Sequence, residues 1–246
     1  MGLTPDKICQ QIRFIRWDSK QRNGAGDVLS TCTPTINVET NMVCPPRFLV
    51  TDKNRGSHRS TSEIMVRPMT ESYLISAFCG ESQAHMRYLI FAKRAVESGF
   101  PNISRLFTAV SHAERIHAGN HYRNIMTKGA QTTVGGALFG SRSTVEDLQH
   151  GIEGENHEVN EMYPAYMAVA KDQKEYGAEV TFRYAWEAEK THAGLYTRAK
   201  EAAEQKKDAD FKQIGVCEVC GWTTEGEIPD QCPVCKAKKE KFIIFA

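Results

Sequence analysis

The chain has 246 residues, of which 41% are apolar and 25% charged, and its formal net charge at pH 7 is +1. This nearly balanced charge argues against nucleic acid as the main partner. No run of about 18 apolar residues occurs, and no apolar secretory region follows Met1, so neither a membrane span nor a signal peptide is predicted. The composition suits a globular protein with one sizeable core and a small additional module.

Residues 1–68 show no sustained periodicity and are rich in Gly, Pro, Ser, Thr and Asn. Three interpretations stay open for this N-terminal extension. It is an irregular or disordered segment, a targeting peptide, or the product of translation from an upstream start, with the working chain beginning near Met65 or Met69. None of the three gives the extension a direct catalytic role.

From Thr70 onward, apolar residues recur at steps of three and four, which predicts helices. Four helical stretches cover residues 70–98, 101–126, 144–171 and 174–207. Gly99 and Pro101 punctuate the first link. Short links predict antiparallel neighbours, whereas the long link at 127–143 predicts a crossover. The prediction is a mainly α fold, with a ferritin-like four-helix bundle over residues 69–208.

Each predicted helix carries a glutamate near the middle of its inward-facing seam, and the third helix carries two. The five glutamates are Glu81, Glu114, Glu155, Glu158 and Glu189. In the second and fourth helices a histidine follows three residues later, as His117 and His192. Side chains three apart project from the same helix face, so each E-x-x-H pair can offer an oxygen and a nitrogen to one point.

Five carboxylates on buried seams would be costly without compensating charge. A lone ionised carboxylate in a low-dielectric interior costs several kcal/mol, and no Lys or Arg occupies these seams. Two divalent cations would offset most of that charge. Because the ligands are carboxylate and imidazole without thiolate, iron or manganese fits better than a closed zinc site. The four seams together predict a dinuclear metal cage inside the bundle.

Other histidines and glutamates of the helices are predicted to have no metal role. His85 and His121 have no carboxylate partner at helical spacing in their own seams. Glutamates that fall off the seams are expected to face solvent. These are Glu71, Glu97, Glu153, Glu161, Glu187 and Glu201.

Four of the eight cysteines form two C-x-x-C pairs within the predicted C-terminal module, residues 212–246. These are Cys217, Cys220, Cys232 and Cys235. Two such pairs predict one tetrahedral sulfur site for a metal, and the scattered remaining cysteines favour a reducing, cytoplasmic compartment over a disulfide framework. Zinc and iron both suit four thiolates. The neighbouring redox-capable bundle favours iron in a rubredoxin-type site, with a zinc ribbon as the alternative.

From about Met69 to Ala246 the chain resembles the rubrerythrins, in which a ferritin-like di-iron domain is fused to a rubredoxin-like domain. The resemblance rests on five motifs. These are GESQAHMRY (80–88), AERIH (113–117), GENHEVNEMYP (154–164), AEKTH (188–192) and the cysteine module. It implies two irons in the bundle and one iron bound by the four cysteines.

The resemblance also implies roles for individual residues. The implied di-iron ligands are Glu81, Glu114, His117, Glu155, Glu158, Glu189 and His192. Glu114 and Glu189 would bridge the irons, and one iron would exchange Glu158 for His117 with redox state. Tyr88 and Tyr163 match tyrosines that hydrogen-bond to carboxylate ligands and hold them in place.

The function implied is that of a non-haem di-iron peroxidase that reduces hydrogen peroxide to water in oxidative-stress defence. Electrons would pass through the Fe(Cys)4 centre from an external rubredoxin or an NAD(P)H-dependent flavoprotein. The chain has no G-x-G-x-x-G, so it is not expected to bind the nicotinamide itself. The alternatives are a ferroxidase that sequesters iron and a zinc-ribbon module on an inert bundle.

A head-to-tail homodimer is expected by analogy with the family. The linker near residues 203–211 is expected to be solvated and to hold the cysteine module far from the di-iron site of its own chain. In such a dimer the module of one subunit would serve the di-iron site of the other.

Overall fold

The computed structural model describes residues 66–126 and 139–246. Nearly all of the predicted N-terminal extension therefore lies outside the described residues, as do Cys9, Cys32 and Cys44. Most of the predicted crossover, residues 127–138, also lies outside them. Within the described residues, no helix combines the length and apolar character needed to cross a bilayer.

The described part of the bundle consists of five α-helices and one π-helical turn. They are α1 (Pro68–Glu97), α2 (Pro101–Tyr122), α3 (Thr144–His157), the π-helical turn (Glu158–Met162), α4 (Tyr163–Asp172) and α5 (Tyr176–Glu204). Helix α1 packs along α2, α3 and α4 pack along α5, and α2 also contacts α5. The predicted mainly α fold is confirmed.

The sequence explains where these helices begin and end. Pro68 and Pro101 stand at the first turns of α1 and α2, where a missing N–H costs nothing. Gly99 has a φ of +86°, which turns the chain between the two helices. Helix α3 begins with a capping box, because Ser143 accepts from the Glu146 N–H and the Glu146 side chain accepts from the Ser143 N–H.

The predicted third helix, 144–171, is interrupted in the structure by the π-helical turn. Pro164 has no N–H to donate to the Asn160 carbonyl four residues earlier, so the α pattern cannot run through this point. The Tyr163 N–H bonds the Glu158 carbonyl, five residues earlier, and not the Val159 carbonyl. The Trp186 indole N–H donates to that Val159 carbonyl at 2.9 Å. The π-helical turn begins at Glu158, one of the predicted ligands.

Two apolar clusters fill the bundle on either side of the glutamate seams. One contains Phe91, Phe107 and Tyr196, and the other contains Leu74 and Phe182. In the first cluster α3 approaches α5 closely, because Gly151 lies against the ring of Tyr196. A Cβ at Gly151 would be 2.8 Å from Cδ2 of that ring.

Replacing Gly151 with alanine is therefore expected to destabilise the protein despite the better helix propensity of alanine. Alanine gains about 1 kcal/mol in helix propensity, but overpacking a core typically costs about 1–3 kcal/mol. The control is Gly194→Ala in α5, where a Cβ would meet nothing within 4 Å. Thermal unfolding of equally metal-loaded variants should show a lower midpoint for Gly151→Ala and an unchanged or higher midpoint for Gly194→Ala. A shift of the same sign in both would contradict the close approach.

The cysteine module is a three-stranded antiparallel sheet with two cysteine turns. Its strands are β1 (Ile214–Cys217), β2 (Thr223–Glu225) and β3 (Phe242–Phe245), in the order β2-β1-β3. Val216 pairs with Thr223 on one side and with Ile243 on the other. The sheet therefore joins the first cysteine turn to the end of the chain.

The linker differs from the solvated spacer predicted from sequence. Asp208 accepts from the Asn102 and Ile103 N–H groups at 2.7 and 3.1 Å, so it caps the N-terminus of α2. Ala209 and Phe211 are buried, and both belong to the same apolar cluster as the bundle core.

The cysteine module consequently packs on the bundle of its own chain. Ile214 and Val216 of β1 join the bundle's apolar cluster. Arg198 of α5 forms an ion pair with Glu225 of β2 at 2.6 Å. The expectation that the module lies far from its own metal cage is therefore wrong, because apolar residues on both sides of the linker bury against the helices.

Candidate metal centres

Six of the seven predicted di-iron ligands meet in two overlapping groups in the middle of the bundle. One group comprises Glu81, Glu114, His117 and Glu189, and the other comprises Glu114, Glu155, Glu189 and His192. Within each group the ligand atoms lie within 4.8 Å of one another. Glu114 and Glu189 belong to both groups, which favours the bridging positions that the resemblance implied for them.

The cage is buried and contains many more hydrogen-bond acceptors than donors. All six of these residues are at most 2% exposed. Buried carboxylate oxygens of Glu81, Glu114, Glu155 and Glu189 lack a well-aligned hydrogen bond, although the cage histidines lie close to several of them. Within the described residues, no lysine or arginine pairs with any of these carboxylates. Unpaired buried oxygens of this kind are costly, so the donor set fits a pair of divalent metal ions.

Both histidines turn Nδ1 toward the carboxylates. Nδ1 of His117 is 2.9 Å from both Glu114 Oε2 and Glu189 Oε1. Nδ1 of His192 is 2.6 Å from Glu189 Oε2 and 3.5 Å from Glu114 Oε1. Each E-x-x-H pair therefore delivers an oxygen and a nitrogen to one point, as its spacing predicts.

The charges of the cage shift the titration of its histidines upward. Burial alone would lower the pKa of His192, but the carboxylates of Glu114 and Glu189 raise it to about 10. The pKa of His117 is also raised well above its ordinary value, against the effect of burial and chiefly by Glu189. In the metal-free chain, two protonated imidazoles therefore supply positive charge where cations would otherwise provide it.

The carboxylates titrate unequally because their surroundings differ. Burial, followed by the charge of Glu189, raises the pKa of Glu114 to about 7. The same two causes raise the pKa of Glu155 well above its usual range. Burial would also raise the pKa of Glu189, but His117 and His192 together lower it below the usual range. Glu189 is therefore the most firmly ionised carboxylate of these three.

The two predicted tyrosines contact ligand carboxylates. The Tyr88 hydroxyl donates to Glu155 Oε1 at 2.6 Å, and the Tyr163 hydroxyl donates to Glu81 Oε1. Both hydroxyls lie inside the bundle, where burial and the neighbouring carboxylate raise the pKa of each phenol. Each tyrosine therefore stays protonated and fixes the orientation of one carboxylate.

Glu158 stands apart from the other six predicted ligands. It is half-buried and belongs to neither group of converging ligand atoms among the described residues. Burial, followed by repulsion from Glu81, nevertheless raises its pKa well above the usual range, so its carboxyl group lies near the cage. The structure thus has His117 in the cage and Glu158 beside it.

Sequence reasoning missed several residues that surround the cage. His121, which was interpreted as an ordinary histidine, is fully buried and lies 3.2 Å from both the Tyr163 hydroxyl and Thr181 Oγ1. Gly221 and Thr223 of the cysteine module lie against the two E-x-x-H histidines. No spacing within one helix could have signalled these contacts, because they join separate elements.

Among the glutamates predicted to face solvent, Glu71 is an exception. It is only 7% exposed, near the N-terminus of α1. Glu187 is half-buried, and the other predicted surface glutamates are exposed.

His85 contacts both the backbone carbonyl and the hydroxyl of Ser111, each at 2.8 Å, which is an ordinary structural role.

The four cysteines of the module converge on one point. The Sγ atoms of Cys217 and Cys235 are 3.6 Å apart, and those of Cys220 and Cys232 are 3.5 Å apart. Four sulfurs at about 2.3 Å from one tetrahedral ion would be separated by about 3.8 Å, close to these distances. The thiols are free of disulfides, and Trp222 and Phe242 pack against them.

Together, the fold and the two centres define a dinuclear carboxylate bundle joined to a four-cysteine metal module. A family model described as rubrerythrin matches residues 72–200, and one described as the rubrerythrin rubredoxin-like domain matches residues 216–243. The chain belongs to the rubrerythrin family. The predicted ferritin-like bundle and the iron cofactors, a di-iron pair and one Fe(Cys)4 centre, are thereby confirmed.

Curated proteins and solved structures agree with this assignment. Rubrerythrin-2 of Clostridium acetobutylicum is 47% identical over 179 residues, which cover 72% of this chain and 97% of that protein. Nigerythrin of Nitratidesulfovibrio vulgaris is 35% identical, over 70% of this chain and 84% of that protein. A solved mixed-valence state of nigerythrin superposes with a TM-score of 0.64 at 30% identity and covers 81% of this chain and 98% of the solved chain.

Proposed function

We propose that this oxidoreductase reduces hydrogen peroxide to water at the bundle cage and receives its electrons through the cysteine module. The observation that carries the proposal is the contact between the two centres within one chain. Gly221 and Thr223 follow Cys220 in the chain and touch the cage histidines His117 and His192. A site that only stored iron would have little use for an adjoining one-electron centre.

We propose seven iron ligands in the bundle. They are Glu81, Glu114, His117, Glu155, Glu158, Glu189 and His192. The overlapping ligand groups support bridging roles for Glu114 and Glu189. The position of His117 inside the cage, with Glu158 beside it, corresponds to one side of the proposed exchange of Glu158 for His117.

The iron pair, when bound, supplies two electrons and Lewis-acid stabilisation for cleavage of the O–O bond. The chain supplies the remaining requirements. Apolar clusters on both sides exclude water from the cage. Tyr88 and Tyr163 hold two carboxylates in fixed orientations. Reduction of peroxide to water also consumes two protons, which the cage carboxyls can supply and accept.

The electron source is proposed to be an external rubredoxin or an NAD(P)H-dependent flavoprotein. A head-to-tail homodimer also stays a prediction. The contact between both centres within one chain means that the proposed relay does not need a second subunit. The cytoplasmic location expected from the cysteine pattern stays a prediction as well.

A zinc-substituted cysteine module tests the relay without disturbing the fold. Zinc suits the same four thiolates but carries no electron. Chains with iron in the bundle and zinc in the module should lose donor-coupled peroxide turnover. They should still oxidise the bundle iron once when peroxide is added. The matched control is the same chain with iron in both centres.

Two results would count against the proposal. Coupled turnover that survived in the zinc-substituted chain would refute the relay. Continued uptake and oxidation of Fe(II), far beyond two ions per chain, would instead favour the alternative of a ferroxidase that sequesters iron.

A further inference from the structure

Thr223, the first residue of β2, lies directly behind a predicted iron ligand. It is fully buried, and its Oγ1 is 2.8 Å from Nε2 of His192. The same hydroxyl donates to the Gly221 carbonyl at 3.1 Å. Because its single proton is used in that bond, the Thr223 oxygen accepts from the Nε2–H of His192.

This hydrogen bond determines which histidine nitrogen faces the cage. With Nε2–H held by Thr223, Nδ1 points at the carboxylates, 2.6 Å from Glu189 and 3.6 Å from Glu155. An imidazole ligand is generally oriented by a partner on its other nitrogen, and loss of that partner typically weakens metal binding about 10- to 100-fold. Here the partner comes from the cysteine module instead of from the bundle.

The position of Thr223 depends in turn on the four-cysteine site. Thr223 pairs with Val216 in the sheet, and Val216 precedes Cys217. The segment from Cys217 to Cys220 forms the turn that leads into β2. In small metal-binding modules the bound metal contributes to folding, so an ion on the four cysteines stabilises the arrangement that presents the Thr223 hydroxyl.

We propose that Thr223 is a positioning residue for His192 and that it couples metal binding at the four cysteines to metal binding in the bundle. Thermodynamic coupling is reciprocal, so each centre should strengthen the other by the same factor. The inference rests on the ligand geometry and not on the proposed peroxidase activity. The proposed role of Thr223 would still hold if the bundle catalysed another redox reaction.

The test is a cobalt titration of the bundle in chains whose cysteine site is already filled with zinc. Thr223→Val removes the hydroxyl and keeps the shape of the side chain, whereas Thr223→Ser keeps the hydroxyl. We expect Thr223→Val to raise the apparent Kd for Co(II) at the His192 side about 10- to 100-fold. The apparent Kd of Thr223→Ser for Co(II) should stay within about threefold of the Kd of the unaltered chain. Its visible cobalt spectrum should report the same ligand set. Thr224→Val, at a neighbouring half-buried position of β2, is the matched control and should bind cobalt normally.

Wild-type cobalt affinity in Thr223→Val would overturn the proposal. So would equal weakening in Thr223→Val and Thr223→Ser, since the hydroxyl would then be irrelevant. A reciprocal measurement uses the unaltered chain and therefore does not depend on whether a variant folds. Zinc should leave the four cysteines more slowly, in the presence of a chelator, when the bundle is filled with cobalt. Equal release rates with filled and empty bundles would also overturn the coupling.

Discussion

Replacement of Glu189 with glutamine is expected to remove both metal ions from the bundle, whereas replacement of Glu81 with glutamine is expected to remove only one. Glu189 belongs to both groups of converging ligand atoms, and Glu81 belongs to one. Glu189 also lies within 2.9 Å of a nitrogen of each cage histidine. Loss of an outer partner of a metal ligand typically costs about 10- to 100-fold in affinity, so loss of a bridging ligand should cost more than about 100-fold.

The measurement is iron per chain after anaerobic reconstitution and removal of unbound metal. The visible spectrum of the four-cysteine centre is recorded for every variant, so that iron in the bundle is counted separately from iron in the module. Glu187→Gln is the matched control on the same helix, since Glu187 is half-buried and pairs with Lys190 at 3.1 Å. A Glu189→Gln protein that kept both bundle irons would show that Glu189 is not shared between them.

Replacement of Gly221 with alanine is expected to disrupt both the docking of the cysteine module and the His117 side of the cage. A Cβ at Gly221 would clash with Nε2 of His117, so the module or the imidazole would have to move. Gly221 also has a φ of +79°, which alanine adopts at a cost of about 1–2 kcal/mol. The variant therefore combines backbone strain with displacement of a predicted ligand.

Gly226→Ala separates these two effects. Gly226 has a φ of +86°, but the nearest atom to a Cβ there is Lys212 Cδ at 3.9 Å. In this control the free energy of unfolding should fall by only about 1–2 kcal/mol, which is the cost of the strained backbone. The variant should keep three irons per chain. Gly221→Ala should be less stable than Gly226→Ala and should lose iron from the bundle. Equal stability and equal iron content in the two variants would show that the approach of Gly221 to His117 has no consequence.

The sequence was most informative where one helix contains all the relevant residues. The E-x-x-H pairs, Glu114 with His117 and Glu189 with His192, share a helix face because three residues are nearly one turn. Repetition of a buried glutamate on every seam then pointed to a shared cage. The paired cysteines were equally clear, since each C-x-x-C turn brings two sulfurs together locally.

The sequence was less informative where the site depends on contacts between distant segments. Thr223 and Gly221 occur 31 and 104 residues after the histidines that they contact. Their role follows from burial of the linker residues Ala209 and Phe211, which the charged neighbourhood of the linker concealed. These contacts became visible only when the module was found packed on the bundle.

Local backbone geometry limits how far counting along the third helix can be carried. Glu158 keeps α-helical φ and ψ of −64° and −42°, so counting three residues from Glu155 holds as far as Glu158. Beyond Glu158 the π-helical turn has a different rotation per residue, so the α-helical count no longer predicts which face a residue occupies. His121 was missed for another reason, because its partners Tyr163 and Thr181 come from two other helices.

The presence of a metal pair in the bundle is tested most directly by metal analysis of protein purified without oxygen, followed by addition of one equivalent of peroxide per chain. We predict three irons per chain, with two of them in the bundle oxidised together by that single equivalent. A preparation that held metal only at Cys217, Cys220, Cys232 and Cys235, with none in the bundle, would contradict this prediction.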